Sequence, residues 1–203
     1  PNPYIMDKYG EVGDSLYCYS GTNILRNQFQ IQDEAILQQA ELELTQHASM
    51  QLEYEEPPYD LNYLKKIHAV LFSDLYAWAG ELRQVDIAKG DTRFCTFRRI
   101  EIEANKLFAQ LQQQQYFQHQ PFEQLIESIA DLYCELNVMH PFREGNGRTQ
   151  RIFFEHLLAF CGYGVDWSQI QSQHQWVQAN IEGYYGHLEG LINIFKACIV
   201  IPK

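Results

Sequence analysis

Apolar residues recur at three- and four-residue steps along most of the chain, which is the spacing of helices that bury one face. The first such segment starts at Asp33, and Pro57-Pro58 is its predicted end because proline cannot continue a helix. Asp60 is the predicted N-cap of a second helix, with Gly80 as its predicted C-terminal stop. Further helices are predicted over about 100–113, 121–139, 148–161, 169–181 and 187–200.

Residues 83–98 interrupt the helical pattern. Val85 and Ile87 alternate with polar residues, a Lys-Gly-Asp turn follows, and apolar positions resume at Phe94, which predicts a short β-hairpin. Residues 1–30 are rich in Tyr, Gly and Asn and predict an extended arm with a short helix around Ile24. Because no repeat, linker or composition break occurs, we expect residues 1–203 to form a single, mainly α-helical domain.

Composition and charge narrow the possible functions. The chain has 203 residues, of which 46% are hydrophobic and 20% charged, as in an ordinary folded domain. Its net charge of -11 argues against direct binding of nucleic acid or anionic membranes. No apolar run approaches the ~20 residues that span a bilayer. The five cysteines are widely spaced without a CxxC pair, which favours reduced thiols in a cytoplasmic protein.

The candidate chemistry lies in residues 140–151, HPFREGNGRTQR, where three arginines outnumber one glutamate in an otherwise acidic chain. Pro141 prevents the preceding helix from continuing, so the chain must turn. The following Gly145, Asn146 and Gly147 tolerate positive φ, and successive amides in such a turn can form an anion-binding nest. The next helix is predicted to begin at about Arg148, so its unpaired N–H groups point at the same place.

The charged side chains of this segment fit a bound polyphosphate. Arg148 and Arg151 share one face of the first helical turn, where cations oppose the helix dipole at about 0.3–1 kcal/mol each. Phosphates reverse that balance, because two guanidinium groups can bind their oxygens bidentately. Glu144 would repel phosphates unless a cation such as Mg²⁺ lay between them. His140 can accept a proton from an attacking hydroxyl near neutral pH.

Each of these features also has a simpler explanation. His140 is equally placed to be a helix-end or core residue, and Gly-Asn-Gly is a common loop sequence. Arg148 and Arg151 can pair with Glu144 and Glu155. The joint occurrence of all of them at this spacing favours a phosphate cradle.

Residues 140–151 resemble the Fic (filamentation induced by cAMP) family motif, HxFx(D/E)GNGRxxR, and match it at every defined position. Residues 79–94, AGELRQVDIAKGDTRF, resemble the hairpin flap of that family, and nearly the whole chain resembles short, stand-alone bacterial Fic proteins. The resemblance implies a Fic-fold helical bundle with a β-hairpin flap over the active site. It also implies transfer of AMP from ATP to a hydroxyl side chain of a target protein, with release of pyrophosphate.

The resemblance assigns roles within the motif. His140 would be the general base, Phe142 a buried anchor, and Glu144 the ligand of an Mg²⁺ ion that bridges the α- and β-phosphates. The anion hole would comprise Gly145, Asn146 and Gly147.

Four further residues would contact the nucleotide. Arg148 would clamp the β- and γ-phosphates, and Arg151 would reach the γ-phosphate or support Glu144. In the flap, Lys89 and Gly90 would cover the nucleotide and align the target segment by main-chain pairing, although Lys89 is equally well explained as a solvated turn lysine. Asn180 and Tyr184 are candidates for the adenine pocket or for ordinary packing.

Control and partners are also implied by the resemblance. Many relatives carry an inhibitory (S/T)xxxE(G/N) helix, and the nearest approach here, Ser49 to Glu53, has Tyr54 at the last position. The chain therefore resembles the class of toxins inhibited by a separate small helical antitoxin, with Arg151 as the anchor for its glutamate. The target would offer Ser, Thr or Tyr, and in this class targets include ATPase subunits of type II topoisomerases.

Other activities share the motif and stay open. They are transfer of UMP, phosphocholine or a γ-phosphate, removal of AMP from proteins, and silent ATP binding without catalysis. Kinase-type relatives have Lys at the second Gly of the motif, so Gly147 argues against that version.

Overall fold

The computed structural model describes residues 14–202, and within this range the protein is mostly helical. The part of the expected N-terminal arm that precedes residue 14 lies outside the described residues. The helices are α1 (Glu34–Ser49), α2 (Leu61–Phe72), α3 (Ile100–Gln113), α4 (Phe122–Met139), α5 (Asn146–Phe160), α6 (Gln173–Tyr184) and α7 (Glu189–Cys198). This confirms the predicted fold class.

The predicted helix starts are confirmed at α1 and α2. The Asp33 carboxylate accepts a hydrogen bond from the backbone N–H of Ile36 at 3.0 Å, and Asp60 accepts one from Tyr63 at 2.9 Å. Each satisfies an N–H group that has no partner within its helix.

The predicted ends of these two helices are wrong. Helix α1 ends at Ser49, well before Pro57-Pro58, and α2 ends at Phe72 instead of Gly80. Gly80 has a φ of +81° and closes a later turn that packs against α2, where a Cβ atom would lie 2.9 Å from the Cβ atom of Ala69. The glycine therefore marks a close approach between backbone segments.

Helix α4 is the central helix, as its nearly continuous apolar sequence predicts. It packs against α3, α5, α6 and α7, and Ile126, Ile129 and Ala130 are completely buried. One cluster of buried apolar side chains extends from Tyr17 to Ile199 and draws on all seven helices. The C-terminal end of α4 is thereby fixed in the interior, and the chain turns there into α5.

The predicted hairpin is present, with strands shorter than the segment 83–98. Strands β1 (Ala88–Lys89) and β2 (Thr92–Arg93) pair antiparallel around Gly90, which has a φ of +56°. A second antiparallel pair, β3 (Gly164–Val165) with β4 (Ile199–Val200), was not predicted. Two-residue strands are too short to show an alternating pattern.

The prediction of a short helix around Ile24 is wrong. Tyr19 and Ile24 close a turn in which the Tyr19 N–H donates to the Ile24 carbonyl oxygen at 2.9 Å. The Thr22 hydroxyl donates to the Tyr19 carbonyl oxygen and accepts from the Ile24 N–H, so its side chain competes with helical bonding. None of the helices within residues 14–202 has the length and apolar character needed to cross a membrane.

We expect the substitution Asp60→Ala to lower the free energy of unfolding by about 1 kcal/mol, because the Tyr63 N–H loses its acceptor. Denaturant unfolding measures the change. Asp60→Asn is the matched control, since an amide oxygen still caps the helix, and equal losses in both variants would contradict the capping role.

Candidate active site

A cavity of about 430 Å³ lies between the hairpin, the turn that joins α4 to α5, and helix α6. It is lined by most of the candidate residues from the sequence: Lys89, Gly90, His140, Glu144, Gly145, Gly147, Arg148, Arg151, Asn180 and Tyr184. Among the residues to which the resemblance assigns a role, Phe142 and Asn146 do not line it. The fold thus collects residues from the hairpin, the motif and α6 around one space.

His140 lies at the C-terminal end of α4, in a left-handed conformation with a φ of 45°. Its Nδ1 atom is 2.6 Å from the Asn137 carbonyl oxygen. Because a carbonyl can only accept, Nδ1 carries the proton in the neutral ring, and Nε2 is the basic nitrogen. The ring stacks on Phe94 of the hairpin, with centroids 3.8 Å apart and planes at 14°.

Arg83 connects the hairpin to the end of α4, and sequence reasoning missed it. Its side chain is fully buried, and its Nε atom donates to the His140 carbonyl oxygen at 2.7 Å. Its terminal nitrogens donate to carbonyl oxygens on both arms of the hairpin, Val85 and Cys95, and to that of Met139. The guanidinium therefore fixes the hairpin base relative to the backbone of His140, and it lies at the negative end of the α4 dipole.

The Asn146 side chain holds the turn closed. Its amide oxygen accepts from the Phe142 N–H at 2.8 Å, and its amide nitrogen donates to the Phe142 carbonyl oxygen at 2.7 Å. Phe142 is 1% exposed and anchors the turn in the core, as the resemblance implied. Helix α5 begins at Asn146, slightly before the predicted Arg148, because Gly145 already occupies the N-cap position.

Gly145 occupies a position that only glycine fits. Its φ is +80°, and a Cβ atom would lie 2.1 Å from the Cζ atom of Phe72. Its backbone N–H donates to Oε1 of Glu144 at 3.1 Å. The N–H group at the start of α5 thus already donates to an anionic oxygen, as expected at a helix N-terminus.

Arg148 is paired with a residue that the sequence did not indicate. It forms an ion pair with Glu41 of α1 and donates to the Thr45 hydroxyl at 2.9 Å. Burial disfavours the charged form of Arg148, but the Glu41 and Glu144 carboxylates outweigh it, so the pKa of Arg148 is raised. Glu41 lines no part of the cavity, so the ion pair holds the arginine from behind and leaves the cavity open.

Arg151 is 4% exposed, and its guanidinium packs over two neighbouring indole rings. Its guanidinium carbon is 5.7 Å from the ring centroid of Trp167 and 5.2 Å from that of Trp176. Both contacts fall within the range of cation–π attraction. Arg148 and Arg151 also border a second cavity of about 290 Å³ on the side of α1, so they form the wall between the two spaces.

The third arginine of the motif faces away from the cavity. Nε of Arg143 lies 3.0 Å from a carboxylate oxygen of Asp14, and both side chains are buried. This pair neutralises one of the three cations that the sequence places in residues 140–151. The cavity therefore receives two motif arginines.

Helix α6 forms the wall opposite the motif. Trp176, Val177 and Ile181 give it an apolar surface, and Asn180 donates from Nδ2 to the Trp176 carbonyl oxygen at 2.8 Å. The Tyr184 hydroxyl donates to the Arg93 carbonyl oxygen at 3.0 Å and so connects α6 to the hairpin. An apolar wall with a few polar groups suits a planar heterocycle.

The sequence model of the Fic/DOC family matches residues 58–158 of the chain. Two relatives described as "Probable protein adenylyltransferase Fic" are similar over 96% of this chain and 96% of their own length. The relative from Salmonella typhimurium is 42% identical and that from Escherichia coli K12 is 41% identical. The crystal structure of the VirB-translocated effector BepC from Bartonella tribocorum, with bound AMPPNP, superposes with a TM-score of 0.85 at 27% identity, covering 95% of this chain and 100% of that one.

We expect Gly145→Ala to destabilise the protein by about 1–3 kcal/mol more than Gly90→Ala, because its Cβ atom overpacks against Phe72. Both substitutions carry the cost of a left-handed conformation, about 1–2 kcal/mol. At Gly90 a Cβ atom meets nothing within 4 Å, so that variant isolates this shared cost. Denaturant unfolding of both gives the comparison, and equal losses would contradict the close approach of Phe72.

Proposed function

The chain belongs to the Fic/DOC family, and on that premise we propose that it transfers AMP from ATP to a hydroxyl side chain of a target protein, with release of pyrophosphate. One observation carries the proposal. His140, whose basic nitrogen is Nε2, lines the same cavity as two arginines and the two glycines at the start of α5. A base next to a polyphosphate cradle is what hydroxyl attack on a nucleotide requires.

In the proposed reaction the acceptor oxygen attacks the α-phosphorus of ATP. The bond from that phosphorus to the oxygen that bridges the α- and β-phosphates breaks, and pyrophosphate leaves with the bonding electrons. The hydroxyl proton passes to Nε2 of His140, and Nδ1–H keeps the ring oriented through the Asn137 carbonyl oxygen. The imidazole thus acts as general base in a single displacement.

The cationic wall would bind the leaving pyrophosphate. Arg148 is held by Glu41 and Thr45, and Arg151 packs over two neighbouring indole rings, so both would present fixed guanidinium groups to the cavity. Groups fixed in advance stabilise the negative charge that develops on the leaving oxygens without having to reorganise. The backbone amides of Gly145 and Gly147, which line the cavity, would bind the phosphates at the start of α5, and the Asn146 side chain would keep this turn closed.

Glu144 would hold Mg²⁺ together with the phosphates. Among the described residues no group of three or more His, Cys, Asp or Glu side chains could hold a metal ion without other ligands. A single carboxylate in a phosphate cradle fits Mg²⁺, which typically takes one or two carboxylates and completes its shell with phosphate oxygens and water. When bound, the ion would neutralise phosphate charge.

The hairpin would position the acceptor. Lys89 and Gly90 line the cavity at its tip, and main-chain pairing along the hairpin would align an extended target segment that presents Ser, Thr or Tyr. By family resemblance, the target would be an ATPase subunit of a type II topoisomerase. The reaction would take place in the cytoplasm, where ATP is supplied, with residues 1–203 acting as one catalytic domain.

We expect His140→Ala to lower AMP transfer by ~10²–10⁴-fold and to leave ATP affinity unchanged, because the ring acts on the acceptor proton. Transfer is measured in cell lysate with Mg²⁺ and ATP labelled at either the α- or the γ-phosphate, and affinity by calorimetry. His187→Ala, at an exposed histidine, is the control.

The position of the label separates the alternatives. Label kept on protein only from the α-phosphate supports AMP transfer, and label only from the γ-phosphate indicates a kinase. Label from neither, with ATP bound, indicates a silent module. Full transfer by the His140→Ala variant would contradict the assignment of the base.

A separate small helical protein would inhibit this activity by placing a carboxylate on Arg151. Residues 1–203 contain no complete (S/T)xxxE(G/N) sequence that could do so from within. The cavity of about 290 Å³ between α1 and α5 gives access to Arg151 from the side opposite the nucleotide. Thr45, Gln46 and Ser49 line it with hydroxyl and amide groups that suit a helix with a carboxylate at its centre.

We expect Gln46→Trp to fill the mouth of this second cavity and to make AMP transfer resistant to the inhibitor. Gln46 is exposed and lines the cavity, whereas the adjacent His47 is exposed and does not, so His47→Trp is the matched control. Transfer is compared for protein purified from its native cells and from an unrelated host. The proposal fails if both variants respond to the inhibitor equally.

A further inference from the structure

His68 of α2 is fully buried directly beneath the motif, although nothing in the sequence connects the two. Its Nε2 atom lies 2.9 Å from the Glu144 carbonyl oxygen, and its Nδ1 atom accepts a hydrogen bond from the Gly80 N–H at 2.8 Å. The ring also stacks on Phe142, with centroids 4.0 Å apart and planes at 18°. The imidazole therefore contacts the catalytic turn through a hydrogen bond and through its face.

These contacts determine which nitrogen carries the proton. A backbone N–H can only donate, so Nδ1 must be the acceptor, and Nε2–H then donates to the Glu144 carbonyl oxygen. Burial lowers the pKa of His68 to about 3, opposed by the hydrogen bond to Glu144 and reinforced by the positive charge of Arg148. The hydrogen bonds themselves require a neutral ring, because a protonated imidazole has no nitrogen that can accept from Gly80.

The acceptor of this hydrogen bond belongs to the peptide group that supplies the Gly145 amide. The peptide bond between Glu144 and Gly145 is planar and trans, so its C=O and N–H groups point in opposite directions. His68 holds the C=O group on the core side. The N–H group of Gly145 must then point outward, to where Gly145 lines the cavity and where Oε1 of Glu144 accepts from it.

We propose that His68 is a positioning residue that fixes the orientation of the Glu144–Gly145 peptide group and thereby aims the Gly145 amide at the phosphates of the nucleotide. The proposal rests on the proposed function, because the anion it concerns is the polyphosphate of that reaction. This positioning role predicts an effect on binding that packing of the ring alone would not produce. Loss of the Nε2–H donor weakens binding of phosphates and leaves binding of the nucleoside unchanged.

Two substitutions separate the donor from the rest of the ring. In His68→Asn the side-chain amide reaches the place of Nδ1 and can accept from Gly80, but nothing donates to Glu144. In His68→Gln the amide nitrogen reaches the place of Nε2 and restores that donor. Both variants lose the stacking on Phe142, so the loss of aromatic packing is matched between them.

The measurement is the affinity for ADP relative to that for adenosine, by calorimetry on the full chain. We expect His68→Asn to lower this ratio about tenfold, the value of one hydrogen bond to a charged group, and His68→Gln to restore most of it. A ratio that is unchanged in His68→Asn, or lowered equally in both variants, overturns the proposal.

Wild-type protein provides a test that does not depend on how well the variants fold. Nitrogen-15 NMR of the histidine rings distinguishes the two neutral tautomers. We expect His68 to carry its proton on Nε2, with a scalar coupling across the hydrogen bond to the carbonyl carbon of Glu144. A proton on Nδ1 overturns the proposal.

The proposed function is tested separately by α-phosphate label transfer in wild-type protein. If transfer occurs and the affinity ratio does not respond to His68→Asn, only the role of His68 is lost. If wild-type protein binds neither ADP nor ATP, both proposals are overturned.

Discussion

The two hydrogen bonds between the Asn146 side chain and the Phe142 backbone are the interaction on which the rest of the site depends. They close the turn between the central helix α4 and helix α5, and Phe142 anchors that turn in the core. The closed turn fixes where the imidazole of His140 leaves α4 and where the first amides of α5 point. Asn146 does not line the cavity. Its side chain stabilises the turn, although its place in the motif suggested a residue that binds the nucleotide.

The cations of the site are each stabilised by neighbouring groups of the fold. Arg148 is paired with Glu41, Arg151 packs over two neighbouring indole rings, and the guanidinium of Arg83 donates to several carbonyl oxygens. A buried cation without such partners would be strongly destabilising. An acidic protein can therefore present a cationic wall to one cavity, because each of these buried cations has compensating partners.

Sequence reasoning was most successful where the determinants are local. Each confirmed element was predicted from residues that are neighbours in the sequence. These are the helix caps at Asp33 and Asp60, the apolar pattern of α4 and the Lys-Gly-Asp turn. Most residues of the motif line one cavity for the same reason, because they are close together in the sequence.

Partners that are distant in sequence could not be predicted. Glu41 meets Arg148 only because α1 and α5 both pack against α2. Arg83 meets the end of α4 only once the hairpin has folded over that end. The prediction that Gly80 ends α2 was wrong, because a glycine required by a close approach between segments cannot be distinguished in sequence from a glycine that ends a helix. The roles of the motif residues in catalysis stay predictions.

The wall formed by Arg148 and Arg151 borders a cavity on each side, because both residues line both spaces. Ligands on opposite faces of such a partition share the same two charges, so their binding free energies are coupled. Reciprocity then requires that an occupant of the α1 side weaken nucleotide binding by the same factor by which nucleotide weakens binding of that occupant. The level of nucleotide in the cell would thereby set how firmly any inhibitor is held, with no conformational change required.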